Sequence, residues 1–356
     1  MTDSTGMTRV NHEKLIRFVS RSVEQLGVPK EDADIGANVL VQADLRGVDT
    51  HGVIRFSPMT WYMKWLKEGS MTAKPNIRIV SENVSTALLD ADNGMGMVAG
   101  HRAMEIAIRK AKESGIGMVT VRNSRHYGMS AYYAMLALPH DMIGIAMTNA
   151  SRQVVPTFGR DARYGTNPIC FAVPAKDERP FVLDMATNTA AAGKLELAVR
   201  LGKSIPTGWA LNDKAEPTTD PRVAQQARRL LPLGGSRESG SHKGYGLGIL
   251  VEILCGVLTG TITALNEKQE PRGHFFGAIN PAAFRPLAQF KQDMDRLIRE
   301  LKSTPPVEGE SRVYVAGEIE FETAEERAER GIPLHSSVLK GLREVSEQVG
   351  VPYDLE

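Results

Sequence analysis

The chain has 356 residues, 42% hydrophobic and 24% charged, the composition of a globular protein with room for two regions that each bury a core. Its 43 Lys and Arg against 42 Asp and Glu leave a formal charge of +1, which gives no electrostatic reason to expect nucleic acid or an anionic membrane as a partner. The polar start, Met1-Thr2-Asp3-Ser4-Thr5-Gly6, lacks the apolar segment of a signal peptide, and the longest apolar stretch, residues 245–258, is broken by Glu252 and too short to span a bilayer.

In chain order, residues 11–26 carry Leu15, Ile16, Phe18, Val19, Val23 and Leu26 at three- and four-residue spacing, which predicts a helix capped by Asn11 and stopped at Gly27. A second helix follows Pro29 and ends at Gly47. A third, with Trp61, Tyr62, Met63 and Trp65, ends at Gly69, and its aromatic stripe reads as packing. From residue 76 the pattern changes to short β-branched runs at 77–80, 85–89, 117–121, 143–147 and 181–183, separated by helical or Gly/Pro segments. This alternation predicts a mixed α/β fold. Residues 210–241, rich in Pro, Asp, Arg and Gly, read as a long loop. Helices return at 287–302 and 335–349 around a short strand at 312–315. The expected organisation is a helical region at 1–75, an α/β region at 76–284, and C-terminal helices at 285–356 that pack back on the first. Cys170 and Cys255 sit in apolar runs, which predicts reduced core thiols in a cytoplasmic protein.

Chemistry concentrates in Ala43-Asp44-Leu45-Arg46-Gly47-Val48-Asp49-Thr50-His51-Gly52-Val53-Ile54-Arg55. A helix starting near Gly52 would put His51 and Arg55 on one side of a turn, with the hydroxyl of Thr50 beside the imidazole. An imidazole transfers protons near neutral pH and a guanidinium fork grips a carboxylate, so the pair reads as half of an oxo-acid site. The bland alternative is a capped helix end with a solvated Arg. A second motif, Gly94-Met95-Gly96-Met97-Val98-Ala99-Gly100, follows a predicted strand and precedes a helix, as a Rossmann phosphate cradle does, and it is also an ordinary Asn-Gly turn. No His-Glu-x-x-His or Cys/His ligand spacing is present, so no metal is expected. His12, His101, His140, His274 and His335 read as structural or surface groups.

Several segments together resemble the type 2 malate/L-lactate dehydrogenase family, which includes sulfolactate, ureidoglycolate and diketogulonate oxidoreductases and cyclic-ketimine reductases. They are residues 43–55, Val121-Arg122-Asn123-Ser124-Arg125-His126-Tyr127-Gly128, Gly165-Thr166-Asn167-Pro168, Leu183-Asp184-Met185-Ala186-Thr187 leading to Gly193-Lys194, and Leu231-Pro232-Leu233-Gly234-Gly235. The series continues with His242-Lys243-Gly244-Tyr245-Gly246-Leu247, Gly273-His274-Phe275-Phe276 with Ala278-Ile279-Asn280-Pro281, and Ala316-Gly317-Glu318, and it spreads over nearly the whole chain.

The resemblance implies a non-Rossmann α/β fold with a mixed sheet, an NAD or NADP cofactor, a small 2-oxo or 2-hydroxy acid substrate, and a homodimer. It argues against a cradle at Gly96. It implies that His51 is the proton donor, assisted by Thr50, and that Arg55 clamps the substrate carboxylate, with Thr166 and His126 also touching substrate. His126, Tyr127, Gly128, Met129, Ser130, Asp184, Met185, Ala186, His242, Lys243, Gly317 and Glu318 look like cofactor contacts. Thr50 stands where many members have Ser, and Ala316 where the turn usually has Pro. The expected reaction is hydride transfer between a 2-hydroxy acid and a 2-oxo acid. Reduction of a cyclic imine acid of the piperideine or pyrroline-2-carboxylate type is the enzymatic alternative, and dinucleotide binding without turnover is the non-enzymatic one.

Overall fold

Nine strands and eleven α-helices build the computed structural model, which describes residues 6–57, 60–266 and 271–355; residues 1–5, read above for a leader, lie outside it. The strands are β1 (Met7–Val10), β2 (Arg78–Glu82), β3 (Thr86–Asp90), β4 (Ile116–Ser124), β5 (Ile143–Thr148), β6 (Ile169–Val173), β7 (Phe181–Met185), β8 (Arg272–Ile279) and β9 (Ile332–His335). The helices are α1 (His12–Gln25), α2 (Lys30–Leu45), α3 (Trp61–Lys67), α4 (Gly96–Ser114), α5 (Ser130–Met135), α6 (Ala192–Arg200), α7 (Pro221–Ala227), α8 (Ser241–Glu252), α9 (Leu287–Lys302), α10 (Glu318–Arg330) and α11 (Ser336–Val349).

The five β-branched runs, with β6 and β8 that the pattern did not mark, form one seven-stranded mixed sheet in the order β2-β3-β4-β8-β5-β6-β7. Only β3 and β4 run parallel, joined by α4, and every other pairing is antiparallel. The edge strand β2 is exposed throughout and carries a register shift between Ile79 and Ser81, features that discourage pairing with another edge. On α1, Leu15, Phe18, Val19 and Val23 are buried along one stripe, and the Asn11 side chain accepts from the backbone N–H of Lys14 at 3.0 Å, as its cap position predicts. β1 pairs antiparallel with β9, α11 lies against α1, and α10 lies against α2. One apolar core runs from Leu15 through Met97 and Phe276 to Leu342, so the helices of both chain ends and the sheet share it.

Three local expectations are corrected. No helix begins at Gly52: two single 3-10 turns, Asp49–His51 and Val53–Arg55, break there. Residues 312–315 form no strand, and the element that follows is α10. Residues 210–241 contain α7, tied down by bridges of Ala210 and Val154 to Leu230. The glycines of the cradle motif, which the family resemblance argues against as a phosphate site, serve packing. A Cβ on Gly96 would lie 2.0 Å from the Arg125 carbonyl oxygen, and one on Gly100 would meet the rings of Tyr133 and Phe276. The chain at 125–126 covers the start of α4 so closely that a pyrophosphate has no access there.

Candidate active site

The turn after α2 is shaped by a buried carboxylate. Asp44 accepts the backbone N–H of Val53 at 2.8 Å, and a Cβ on Gly52 would lie 1.8 Å from Asp44 Oδ1, so only glycine lets the chain pass. Arg327 of α10 donates to the Asp44 carbonyl and pairs with Asp49, fixing the turn from outside. Arg55 then folds back, its Nε donating to the Thr50 carbonyl at 2.6 Å while its guanidinium lies 4.5 Å from the Trp61 ring centroid. His51 and Arg55 therefore do face one space, through this back-bond and not through a shared helical turn. Thr50 reaches its place because residue 193, in α6, is glycine: a Cβ there would lie 2.6 Å from Thr50 Cγ2.

Two imidazoles stack in this space, His51 on His126, with centroids 5.7 Å apart and planes 20° from parallel. Thr50 Oγ1 lies 3.0 Å from His51 Nδ1. His126 Nδ1 lies 2.6 Å from the Tyr62 hydroxyl and 3.2 Å from the backbone N of Gly128. An amide N–H can only donate, so His126 Nδ1 is an acceptor, the Tyr62 hydroxyl donates to it, and the ring proton sits on Nε2. The aromatic stripe of α3 thus supplies a functional hydroxyl as well as packing. Desolvation at the bottom of the cleft, followed by the charge of Arg55, lowers His51 from 6.5 to about 4. Desolvation, with its cationic neighbours, holds His126 well below its usual range. Both rings are neutral at pH 7 in the free protein.

Thr50, His51, Arg55, His126, Thr166 and Arg272 line a cleft of about 440 Å³. Thr166 is presented by a turn that the buried Asn167 holds. Its amide nitrogen donates to the Gly248 carbonyl at 2.9 Å and to Glu252 at 3.2 Å, and its oxygen accepts the N–H of Ala150 at 2.9 Å. Past Thr50, His51, Gly128 and Thr166 the space widens into a cavity of about 710 Å³ lined by Met129, Ser130, Asp184, Met185, Ala186 and Gly317. Asp184 opens onto this cavity and accepts the backbone N–H of Ala131 at 2.7 Å. Desolvation in the recess outweighs that bond and pushes its carboxyl up to about 6.

The structure thus brings together His51, Thr50, Arg55, Thr166, His126, Tyr127, Gly128, Met129, Ser130, Asp184, Met185, Ala186 and Gly317. It does not place His242, Lys243 or Glu318 on these walls. His242 and Lys243 are exposed at the start of α8, His242 Nδ1 lying 3.0 Å from Arg237 Nη1. Glu318 is buried beneath Lys302 at 3.0 Å and accepts the N–H of Val315 at 3.2 Å. Sequence reasoning missed Arg46, Arg272 and Tyr62 as parts of the site. Arg46 stands inside the quoted motif, whereas nothing local marks Arg272 as facing a cleft. His274, read as structural, is fully buried between Thr148 Oγ1 at 2.7 Å and Ser124 Oγ at 2.9 Å.

The family model for malate/L-lactate dehydrogenase matches residues 10–343. The chain is 45% identical over 349 residues to a malate dehydrogenase of Pyrococcus horikoshii, covering 96% of each chain. It is 40% identical over 347 residues to an L-sulfolactate dehydrogenase of Methanocaldococcus jannaschii, again covering 96% of each. Its fold superposes on the crystal structure of malate dehydrogenase from Entamoeba histolytica with a TM-score of 0.93 at 36% identity, covering 98% of this chain and all of the other. The chain belongs to the malate/L-lactate dehydrogenase family, and so to a group of hydroxy-acid oxidoreductases whose dehydrogenase chemistry implies a nicotinamide cofactor.

Proposed function

We propose that this chain interconverts a 2-hydroxy acid and a 2-oxo acid with NAD or NADP, using His51 as the proton-transfer group and Arg55 as the carboxylate clamp. The observation that carries the reading is that an imidazole and a guanidinium, whose terminal nitrogens have no hydrogen-bond partner among the described residues, face one cleft that runs directly into a much larger cavity. A dinucleotide suits that cavity. Its walls combine apolar surface for flat rings (Val182, Leu183, Leu233) with the charged groups Arg46, Lys194 and Asp184 for ribose and phosphate. Met129, Ser130, Asp184, Met185, Ala186 and Gly317 would hold it, with His242 and Lys243 as outer contacts just before Gly244, which packs on the cavity-lining Leu233.

When bound, the nicotinamide donates or accepts the hydride. The protein's part is to hold and protonate the substrate. Arg55 grips the carboxylate at two points, which fixes the face of the reacting carbon. His126, whose Nε2–H is fixed by Tyr62 and Gly128, donates a hydrogen bond to a substrate oxygen. Neutral His51 takes the hydroxyl proton in oxidation, and its protonated form returns it in reduction. A bound carboxylate offsets the Arg55 charge that depresses His51, so substrate binding raises the imidazole toward neutrality and readies it for the reductive direction. Arg228 and Arg272 line the same cleft, which supports a substrate with a second anionic group, as in malate or sulfolactate.

Two further parts belong to the same proposal. A second copy of the chain covers the continuous apolar face made by Leu247, Leu250, Ile253, Val257 and Leu258, all exposed along α8 and the turn after it. A cytoplasmic setting suits Cys170 and Cys255, which are free and buried. The test follows loss of NADH and of NADPH, separately, with a panel of 2-oxo monoacids, 2-oxo dicarboxylic and sulfonic acids, and cyclic imine acids. Turnover on the doubly charged oxo acids is expected. Turnover on cyclic imines alone would replace the reading, and tight cofactor binding with no turnover would leave only a binding protein.

A further inference from the structure

This inference rests on reading the larger cavity as the cofactor site. Arg46, just past the end of α2, lines that cavity but is only 3% exposed. Its Nε is buried without a hydrogen-bond partner, and its guanidinium carbon lies 4.5 Å from the centroid of the Phe321 ring. Among the described residues no carboxylate reaches it at ion-pair distance. Burying a guanidinium in that state is costly unless something else completes its hydrogen bonds.

The groups facing Arg46 show what that is. Glu320 and Asp184 are its strongest charged neighbours, and both line the same cavity. Asp184 uses one oxygen for the Ala131 N–H, which leaves the other open, and Glu320 has no hydrogen bond or ion pair among the described residues. Around Arg46 the cavity therefore presents a cation with spare donors and two carboxylates with spare lone pairs, while the other cation on its wall, Lys194, lies over the Trp209 ring at 5.8 Å from the centroid. A phosphate beside Arg46 would also face the carboxylates of Asp184 and Glu320. A vicinal diol matches instead: its two hydroxyl hydrogens go to the carboxylates and its oxygens accept from the guanidinium. We propose that Arg46, Asp184 and Glu320 form a subsite for the free vicinal diol of a cofactor ribose.

NADH carries two such diols and NADPH only the one on the nicotinamide side, so the two cofactors tell the sources apart. The experiment titrates the full chain, as wild type, Arg46→Gln and Glu320→Gln, with NADH and NADPH by fluorescence, after a thermal melt shows each protein folded. Arg46→Gln is expected to weaken NADH by about tenfold or more, the scale of lost hydrogen bonds to a charged group. An equal loss for NADPH in both variants assigns the nicotinamide ribose. A wild-type preference for NADH that Glu320→Gln narrows, by improving NADPH, assigns the adenosine ribose.

NADH affinity within about twofold of wild type in either folded variant overturns the subsite, since that is less than one ordinary hydrogen bond. Should Arg46→Gln fail to fold, the isosteric Glu320→Gln decides alone. Inorganic pyrophosphate competing with NADH in wild type, and losing that ability in Arg46→Gln, would make Arg46 a phosphate anchor and the diol assignment wrong. If the wild type binds neither dinucleotide, the cofactor reading of the cavity falls and takes this subsite with it.

Discussion

The turn bearing His51 and the cavity wall bearing Asp184 stand side by side but are assembled from different distances along the chain. Asp44, Thr50, Gly52 and Arg55 shape the turn largely among themselves, through one buried carboxylate, one missing side chain and one back-bond to a carbonyl. The wall takes Arg46 from the end of α2, Ala131 from α5, Asp184 from β7 and Gly317 from the approach to α10, and none of these touches another until the whole sheet exists. A turn held mostly by its own residues, with Arg327 and Gly193 as its outside supports, depends on few distant contacts. A wall of distant pieces responds to anything that loosens the fold.

The largest effect that separates the two is expected from His51→Ala. Turnover should fall by about two orders of magnitude or more, because general acid–base catalysis typically contributes that much. Reduced-cofactor affinity, read by fluorescence, should stay near wild type, and a parallel loss of binding would show that the turn and the wall are not separable. Acid should act on the fold that supports the wall. His274, between β4 and β5, is held at about 3 by burial and then by the nearby charge of Arg272. In the unfolded chain its ring titrates near 6.5. Between those values the unfolded state takes up a proton that the native state refuses, so stability is full above pH 6.5 and falls as the pH drops. From pH 6.5 to 4.5 the loss from this one ring is about 2 kcal/mol. Urea melts at the two pH values measure it, and a His274→Gln protein with the same acid sensitivity would refute the assignment.

Arg55→Lys sharpens the comparison within the turn. An ammonium cannot reproduce the two-point contact, so KM for the acid should rise roughly 10–100-fold with the dinucleotide constant unchanged. A change confined to the dinucleotide constant would move Arg55 into the cofactor site. The smallest effect belongs to Tyr62→Phe, which removes one donor from His126 Nδ1 while Gly128 keeps the other. A loss of roughly two- to tenfold in kcat/KM is expected. The ring's nitrogen NMR shifts should still show an Nε2–H tautomer, and a change of tautomer would mean that the amide alone does not fix it.

Sequence legibility follows the same division. Helix α1, α2 and five of the seven sheet strands were readable because their apolar pattern is local, whereas β6 and β8 were not read, and the Ala43-to-Arg55 motif was readable because its residues are contiguous. The four-residue β1 was not, since its only fully buried side chain is Val10 and its partner lies at the other end of the chain. Helix α10 was hidden by its composition: it is dominated by charge, and only Glu318 is fully buried. Tyr62 looked like its neighbours in an aromatic stripe, and only the arrival of His126 from beyond β4 gives its hydroxyl a task. The Gly96 motif was ambiguous by itself, and only the family resemblance argued against a cradle. Close approach of chain and small side chain is what a phosphate cradle and a tight helix–loop contact have in common, and one sequence cannot say which partner approaches.

The pairing of β1 with β9 has a consequence for how the chain comes to be made. The ribosome has to release residues 332–335 before the first strand can find its partner, so the opening helices cannot be completed as an early unit in the usual N-terminal-first order. Closure between chain ends also belongs among the slow contacts, because its loop entropy is spent before any hydrogen bond is returned. A nascent or prematurely terminated chain lacking that last segment would expose the apolar side of α1 where α11 now covers it, and would be a natural client for a chaperone.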